Sequence, residues 1–238
     1  MVMSAVRLLV GIVAFSTFIQ TLHAEESHEF STEVVQKLTL KYLVIKPNDF
    51  DPQKKYPLIL FLHGAGERGD DLQRVKIHGP YKKVAELNLP VIIVAPQCPA
   101  GQWWNPDAVA ALTRHCLETL PVDPQRVYLT GLSMGGFGTW ATSVRTPELY
   151  AAIAPICGGG EPDQAAKLKG MPIWAFHGLK DTTVPAERTK DMAAALDQAG
   201  IEYKLTLYPE AGHDSWTETY NNPDFYAWLL SQKKPLSP

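Results

Sequence analysis

The residues best equipped for chemistry stand in Gly131-Leu-Ser133-Met134-Gly135, after the apolar, β-branched run 127–130 and before a helix-like stretch. This is the G-x-S-x-G spacing in a strand–turn–helix setting. The turn is sharp, so the serine backbone is strained and its hydroxyl projects at the top of a sheet. Side chains two residues to either side would collide with the neighbouring strand or helix, and glycine at 131 and 135 removes them. A helix starting at Met134 points backbone N–H groups at the place where negative charge develops. The chemistry this suits is attack of a serine oxygen on an acyl carbonyl. A helix-capping serine in a glycine-rich turn is the plainer alternative.

A serine hydroxyl is a poor nucleophile without a base, and the base needs a carboxylate to orient it. The chain order for this turn is Ser, acid, His. Of the seven histidines, His23, His28, His63, His78 and His115 precede Ser133, which leaves His177 and His213. His213 lies in a loop just after the last strand-like run, where a base must reach across to the serine. His177 ends a buried strand and reads as structural. The acid should follow the run 173–176, and Asp181 is the candidate, ahead of Glu187 and Asp163. A turn-forming role is the alternative for Asp181. An oxyanion needs two backbone donors. Met134, the residue after the nucleophile, supplies one. The other is assigned to Ala65, with Gly66 the alternative, in the glycine-rich loop His63-Gly-Ala65-Gly66-Glu67-Arg68-Gly69. That loop fits neither G-x-x-x-x-G-K-[ST] nor G-x-G-x-x-G, so it is not read as a phosphate cradle.

These residues need elements to hold them. Strand-like apolar runs fall at 38–45, 58–62, 91–95, 127–130, 151–156, 173–176 and 203–207. The run 58–62 is continuous rather than alternating, as a strand buried on both faces requires. Helix-like stretches lie at 84–87, 106–120, 133–144, 189–199 and 225–232, the second opening with Pro106 and Asp107. Strand–helix alternation along the chain predicts an α/β fold with a mostly parallel sheet. The connection 157–171 leaves no room for an inserted lid, so no cap domain is expected. The tail 233–238 is expected to fray.

The 238 residues carry 22 Lys+Arg against 25 Asp+Glu, a net charge of −3, with 45% hydrophobic and 20% charged residues. That composition buries a sizeable core and excludes a disordered chain. With no basic run, nucleic acid is not expected as a partner. Residues 1–24 read as a secretory signal: Arg7, an apolar stretch over 8–19, and a small residue at Ala24. The stretch is shorter than the roughly 20 residues of a membrane span. The expectation is therefore a signal peptide over 1–24, a single domain over 25–238, a secreted or periplasmic location and no stable membrane insertion. An uncleaved anchor is the alternative. Cys98, Cys116 and Cys157 are odd in number, so at least one thiol is free or pairs elsewhere; Cys98 and Cys157 read as buried thiols. Disulfide pairing and oligomeric state stay open.

Five segments in order then match a known family: Leu62-His-Gly-Ala-Gly-Glu-Arg-Gly-Asp-Asp71, Ala95-Pro-Gln-Cys-Pro99 with Trp103-Trp104, Gly131-Leu-Ser-Met-Gly-Gly136, Phe176-His-Gly-Leu-Lys-Asp-Thr-Thr-Val-Pro185 and Gly212-His-Asp-Ser-Trp216. Together they resemble the α/β-hydrolase superfamily. Within it they resemble the phospholipase/carboxylesterase and dienelactone-hydrolase-like branch, especially secreted bacterial esterases labelled "predicted peptidases". The resemblance implies the α/β-hydrolase fold, a mainly parallel central sheet flanked by helices, and ester hydrolysis with no cofactor and no metal. It implies Ser133 as nucleophile, His213 as base and Asp181 as acid.

The expected partner is a small-molecule or polymer-linked ester, with short acyl groups or acyl groups on a polysaccharide favoured by an open site. A peptidase of the prolyl-oligopeptidase type, a thioesterase, an esterase acting on a small lactone and a non-catalytic binding module with this fold are the alternatives. Trp103 and Trp104 follow a strand end, where α/β sheets bind ligands. Trp104 and Trp216 are expected either to line the site or to pack in the interior. Glu67 and Arg68 are expected either to pair with each other or to contact a polar substrate.

Overall fold

The computed structural model describes residue 37 and residues 39–235. The expected signal over 1–24, His23, His28 and the end of the tail lie outside the described residues. So does Leu38, where the first strand was expected to begin.

Among the described residues seven strands form one sheet in the order β1-β3-β2-β4-β5-β6-β7. They are β1 Lys41–Ile45, β2 Tyr56–Leu62, β3 Ile92–Gln97, β4 Val122–Leu132, β5 Ala152–Ile156, β6 Trp174–Gly178 and β7 Lys204–Tyr208. Only β1 runs antiparallel, on β3; the other pairings are parallel. All seven expected strands form, with ends shifted by a few residues. Residues of β2 face opposite sides in turn, as the pleat demands. Leu58, Leu60 and Leu62 enter one apolar layer with Val94, Leu129 and Trp140. Ile59 and Phe61 enter the other with Tyr128, Phe176 and Phe225. Both faces are covered, which is why the central strands read as unbroken apolar runs.

Among the described residues six α-helices connect and cover the strands: α1 Tyr81–Glu86, α2 Pro106–Thr119, α3 Met134–Arg145, α4 Glu187–Gln198, α5 Trp216–Asn221 and α6 Pro223–Ser231. Local chemistry sets the starts of α2 and α6. Asn105 caps α2 by accepting from the amides of Asp107 and Ala108, with Pro106 at the first position. Asn222 caps α6 by accepting from Asp224 N–H, followed by Pro223. Helix α5 was not expected. The connection between β5 and β6 holds one short 3₁₀ segment, Pro162–Leu168, packed on α3 and α4. Among the described residues no helix is long and apolar enough to cross a membrane.

Candidate active site

Strand β4 delivers Ser133 and α3 leaves it. Ser133 itself sits at φ 52 and ψ −117, a conformation that a side-chain-bearing residue adopts only when its surroundings hold it there. Its N–H is held from β5, donating to Ile156 O at 3.0 Å and to Cys157 Sγ at 3.2 Å. The two flanking glycines are required by close approach. A Cβ at position 135 would run into the Leu62 carbonyl, and one at 131 would lie 2.7 Å from that oxygen.

The loops after β6 and β7 meet at this serine. His213 Nε2 lies 2.9 Å from Ser133 Oγ, and His213 Nδ1 lies 2.7 Å from Asp181 Oδ2. An ionised carboxylate only accepts, so Nδ1 carries the proton and Nε2 is free to accept from the serine hydroxyl. Asp181 is itself fixed: its Oδ1 accepts from the amides of Thr183 and Val184, each at 2.9 Å. Burial alone would push the Asp181 pKa up, but the hydrogen bonds from His213, Val184 and Thr183 outweigh it and hold the carboxyl below the usual 3.8.

His177, fully buried, reaches the same carboxylate. Its Nε2 is 2.9 Å from Val184 O and 3.2 Å from Asp181 Oδ2, and its Nδ1 is 2.7 Å from Thr189 Oγ1. It is structural, as its strand-end position suggested, yet it is bonded to the acid. The sequence signal for that link was present, because His177, next to last in β6, stands four residues before Asp181 across one turn.

The loop after β2 carries the second expected amide donor. Ala65 is exposed, and Met134 opens α3. Among the described residues no protein acceptor takes either N–H. The loop is clamped from three sides. Arg68 Nε donates to Ala65 O at 3.0 Å, and Arg74 Nη2 donates to Gly66 O at 2.6 Å. His63 donates from Nδ1 to Gly64 O at 2.6 Å while its Nε2 accepts from Cys98 N–H at 3.0 Å. Burial drives the His63 pKa down to about 4, so the ring is neutral.

The aromatic and polar neighbours divide. Trp104 is buried: its indole N–H donates to His63 O at 3.0 Å and its ring packs edge-on against His63. It therefore supports the loop and does not line the site. Trp103 is 64% exposed and stands edge-on to Phe137, one helical turn past Ser133. Trp216, the first residue of α5, packs perpendicular to the His213 ring with centroids 5.3 Å apart. Glu67 and Arg68 do not pair: Glu67 turns inward, while Arg68 Nη1 crosses to Gln102 O. Consecutive side chains on a tight turn diverge, which adjacency in sequence concealed.

Cys98, Cys116 and Cys157 are free and buried. Sγ of Cys157 lies with a His213 nitrogen and an Asp181 oxygen inside 4.8 Å, a donor set resembling a metal site. Burial pushes that thiol up to about 12, so it stays protonated, and the other two donors are engaged with each other. The residues fit a proton relay better than a cation. A cleft of about 920 Å³ between Pro172 and Trp228 is lined by none of these residues.

Residues 104–227 match the profile of the dienelactone hydrolase family. The chain belongs to that family. The family match takes in Ser133, Asp181 and His213 and leaves out the loop at 63–69. A protein of Salmonella typhimurium named as a carboxymethylenebutenolidase is 30% identical over 100 residues, 38% of this chain and 37% of its own length. The chain thus spans well under half of that relative. A protein of Aspergillus niger named as feruloyl esterase C is 24% identical across 83% of this chain and 73% of its own. Among solved structures, a thermostable esterase superposes with a TM-score of 0.75 at 35% identity, over 82% of this chain and 60% of that one. This dienelactone hydrolase family member thus has the α/β-hydrolase fold.

Proposed function

We propose that the chain cleaves carboxylic esters through an acyl-enzyme formed on Ser133, acting on short-chain or polysaccharide-linked acyl esters. The observation that carries this reading is the hydrogen-bonded series Ser133–His213–Asp181, at 2.9 and 2.7 Å, on strained backbone at the start of α3.

His213 Nε2 takes the Ser133 proton as Oγ bonds to the carbonyl carbon, and the C=O π pair moves onto oxygen. The N–H groups of Met134 and Ala65 receive that oxyanion, each worth roughly 3 to 4 kcal/mol in the transition state. The charged imidazole then protonates the alcohol oxygen as its bond to carbon breaks. Water adds to the acyl-enzyme by the same route and releases the acid. Asp181 accepts the hydrogen bond from Nδ1–H throughout and stabilises the imidazolium. Every step uses the chain's own groups, so the reaction needs no cofactor.

The likeness to the thermostable esterase supports an ester rather than an amide. The short β5–β6 connection supports an open site, suited to an acyl group presented on something bulky. The signal-like sequence over 1–24 supports a secreted or periplasmic location. The test is Ser133→Ala. Hydrolysis of p-nitrophenyl acetate and labelling by a fluorophosphonate should both vanish, and retention of wild-type turnover would sink the reading.

A further inference from the structure

Glu67 ends the 3₁₀ turn Ala65–Glu67 and is 7% exposed. Among the described residues neither carboxylate oxygen has a hydrogen-bond donor, and Oε2 is sealed from water. A buried carboxylate in that state is costly until a donor reaches it. The His63, Arg68 and Arg74 donors are engaged elsewhere. His63 Nδ1 is 3.9 Å from Oε2, but its proton goes to Gly64 O and its ring is neutral. Arg68 donates to the carbonyls of Ala65 and Gln102, and Arg74 to that of Gly66. His78 Nε2 stands 3.9 Å from Oε1, too far for a direct bond and right for one bridging atom.

The carboxylate lies beside the reacting centre. A Cβ on Gly64 would be 3.3 Å from Glu67 Oε2 and 2.8 Å from Leu132 Cδ1, so the group nestles between the loop bearing Ala65 and the residue before Ser133. From there a wall runs to the base: the His78 ring is 5.4 Å from Trp216, and Trp216 is 5.3 Å from His213.

The chemistry narrows the occupant. An ammonium group would gain Glu67 but meet the Arg68 and Arg74 cations that clamp this loop. An anion would meet the carboxylate. A neutral hydroxyl donates to Glu67 Oε1 and accepts from His78 Nε2 at once, closing the 3.9 Å gap, with the Trp216 ring 5.4 Å from that of His78 beside it. We infer that Glu67, His78 and Trp216 form a subsite for a hydroxylated, sugar-like alcohol half of the ester, an assignment that rests on the esterase reading above.

The experiment compares kcat/KM for a monoacetylated methyl xyloside with that for cyclohexyl acetate, a ring of equal size without hydroxyls. The proteins are the full-length wild type, Glu67→Gln, His78→Phe and Ser133→Ala. The wild type should favour the xyloside ester about tenfold or more, as a hydrogen bond to a charged group implies. Glu67→Gln and His78→Phe should each shrink that ratio several-fold, mainly through KM. Equal rates on the two esters in the wild type, an undiminished ratio in soluble Glu67→Gln, or preference for an ammonium-bearing ester would overturn the subsite. Should the variants not fold, the wild-type ratio decides alone. Full turnover by Ser133→Ala defeats the parent reading instead, so the two failures are distinct.

Discussion

His177 and His213 bond the same oxygen of Asp181: Oδ2 is 3.2 Å from His177 Nε2 and 2.7 Å from His213 Nδ1. Val184 O, which can only accept, is 2.9 Å from His177 Nε2, so that nitrogen carries a proton and points it into this corner. His177 thereby helps fix which way the carboxylate faces. His177→Leu removes the donor and leaves Val184 O buried without one. It should lower kcat by roughly 10²-fold with little change in KM, the scale of a small misplacement of a reacting group. His177→Gln, which keeps an amide donor, should recover part of the loss. Equal damage from both, read alongside a thermal melt, would reduce His177 to packing alone.

The buried groups around the site make the fold sensitive to acid. The unfolded chain protonates His63 below pH 6.5, whereas the folded chain resists until about pH 4. Stability therefore falls as pH drops through that window, by about 2 kcal/mol at pH 5. Asp181 pulls the same way. Its folded pKa lies below 3.8, so its contribution is present above the ordinary carboxylate range and disappears as pH falls through the lower folded value. Urea midpoints at pH 7.5 and 5 should differ clearly in the wild type and much less in His63→Gln. A His63→Gln profile as steep as the wild type would exclude His63 as the source.

Much of the site was readable because its constraints are local. The glycines at 131 and 135 answer a steric demand within the turn itself. Asp181 and His213 follow strands whose apolar runs are unmistakable. What escaped depends on approach between distant segments. Helix α5 is six residues with no apolar repeat to announce it, and its role appears only where Trp216 meets His213. Trp103 and Trp104 are neighbours of one type, yet only the fold turns one outward and the other beneath His63. His78 and Glu67 are eleven residues apart in register but are brought together by the loop after β2.

Gly135 tolerates no side chain. A Cβ there would collide with the Leu62 carbonyl and lie 2.8 Å from that of His63, both main-chain atoms of the strand leading to the Ala65 loop. Relief requires moving α3 or β2, and either shift displaces one of the two amides proposed to receive the oxyanion. Gly135→Ala should cost about 3 kcal/mol or more, above the usual range for overpacking because backbone rather than a side chain must yield. Soluble yield and the urea midpoint measure the first effect, and kcat of any folded fraction the second. A stable, fully active Gly135→Ala protein would contradict the close approach.

The three thiols should be silent in the native protein. Cys98, Cys116 and Cys157 are each at most 1% exposed. Burial raises Cys98, lifts Cys116 to about 11 and Cys157 to about 12, so almost no thiolate exists at pH 8. A disulfide reagent such as DTNB should titrate none of them before unfolding and all three in guanidinium. Cys157 adds a functional consequence, because its Sγ accepts the Ser133 N–H that steadies the nucleophile. Any modification there must first open the structure. Inactivation by iodoacetamide should therefore follow the opening equilibrium, accelerate in sub-denaturing urea, and spare the enzyme in its absence. Rapid inactivation of the native protein, with carboxamidomethylation mapped to Cys157, would show that the corner beneath Ser133 is open to solvent.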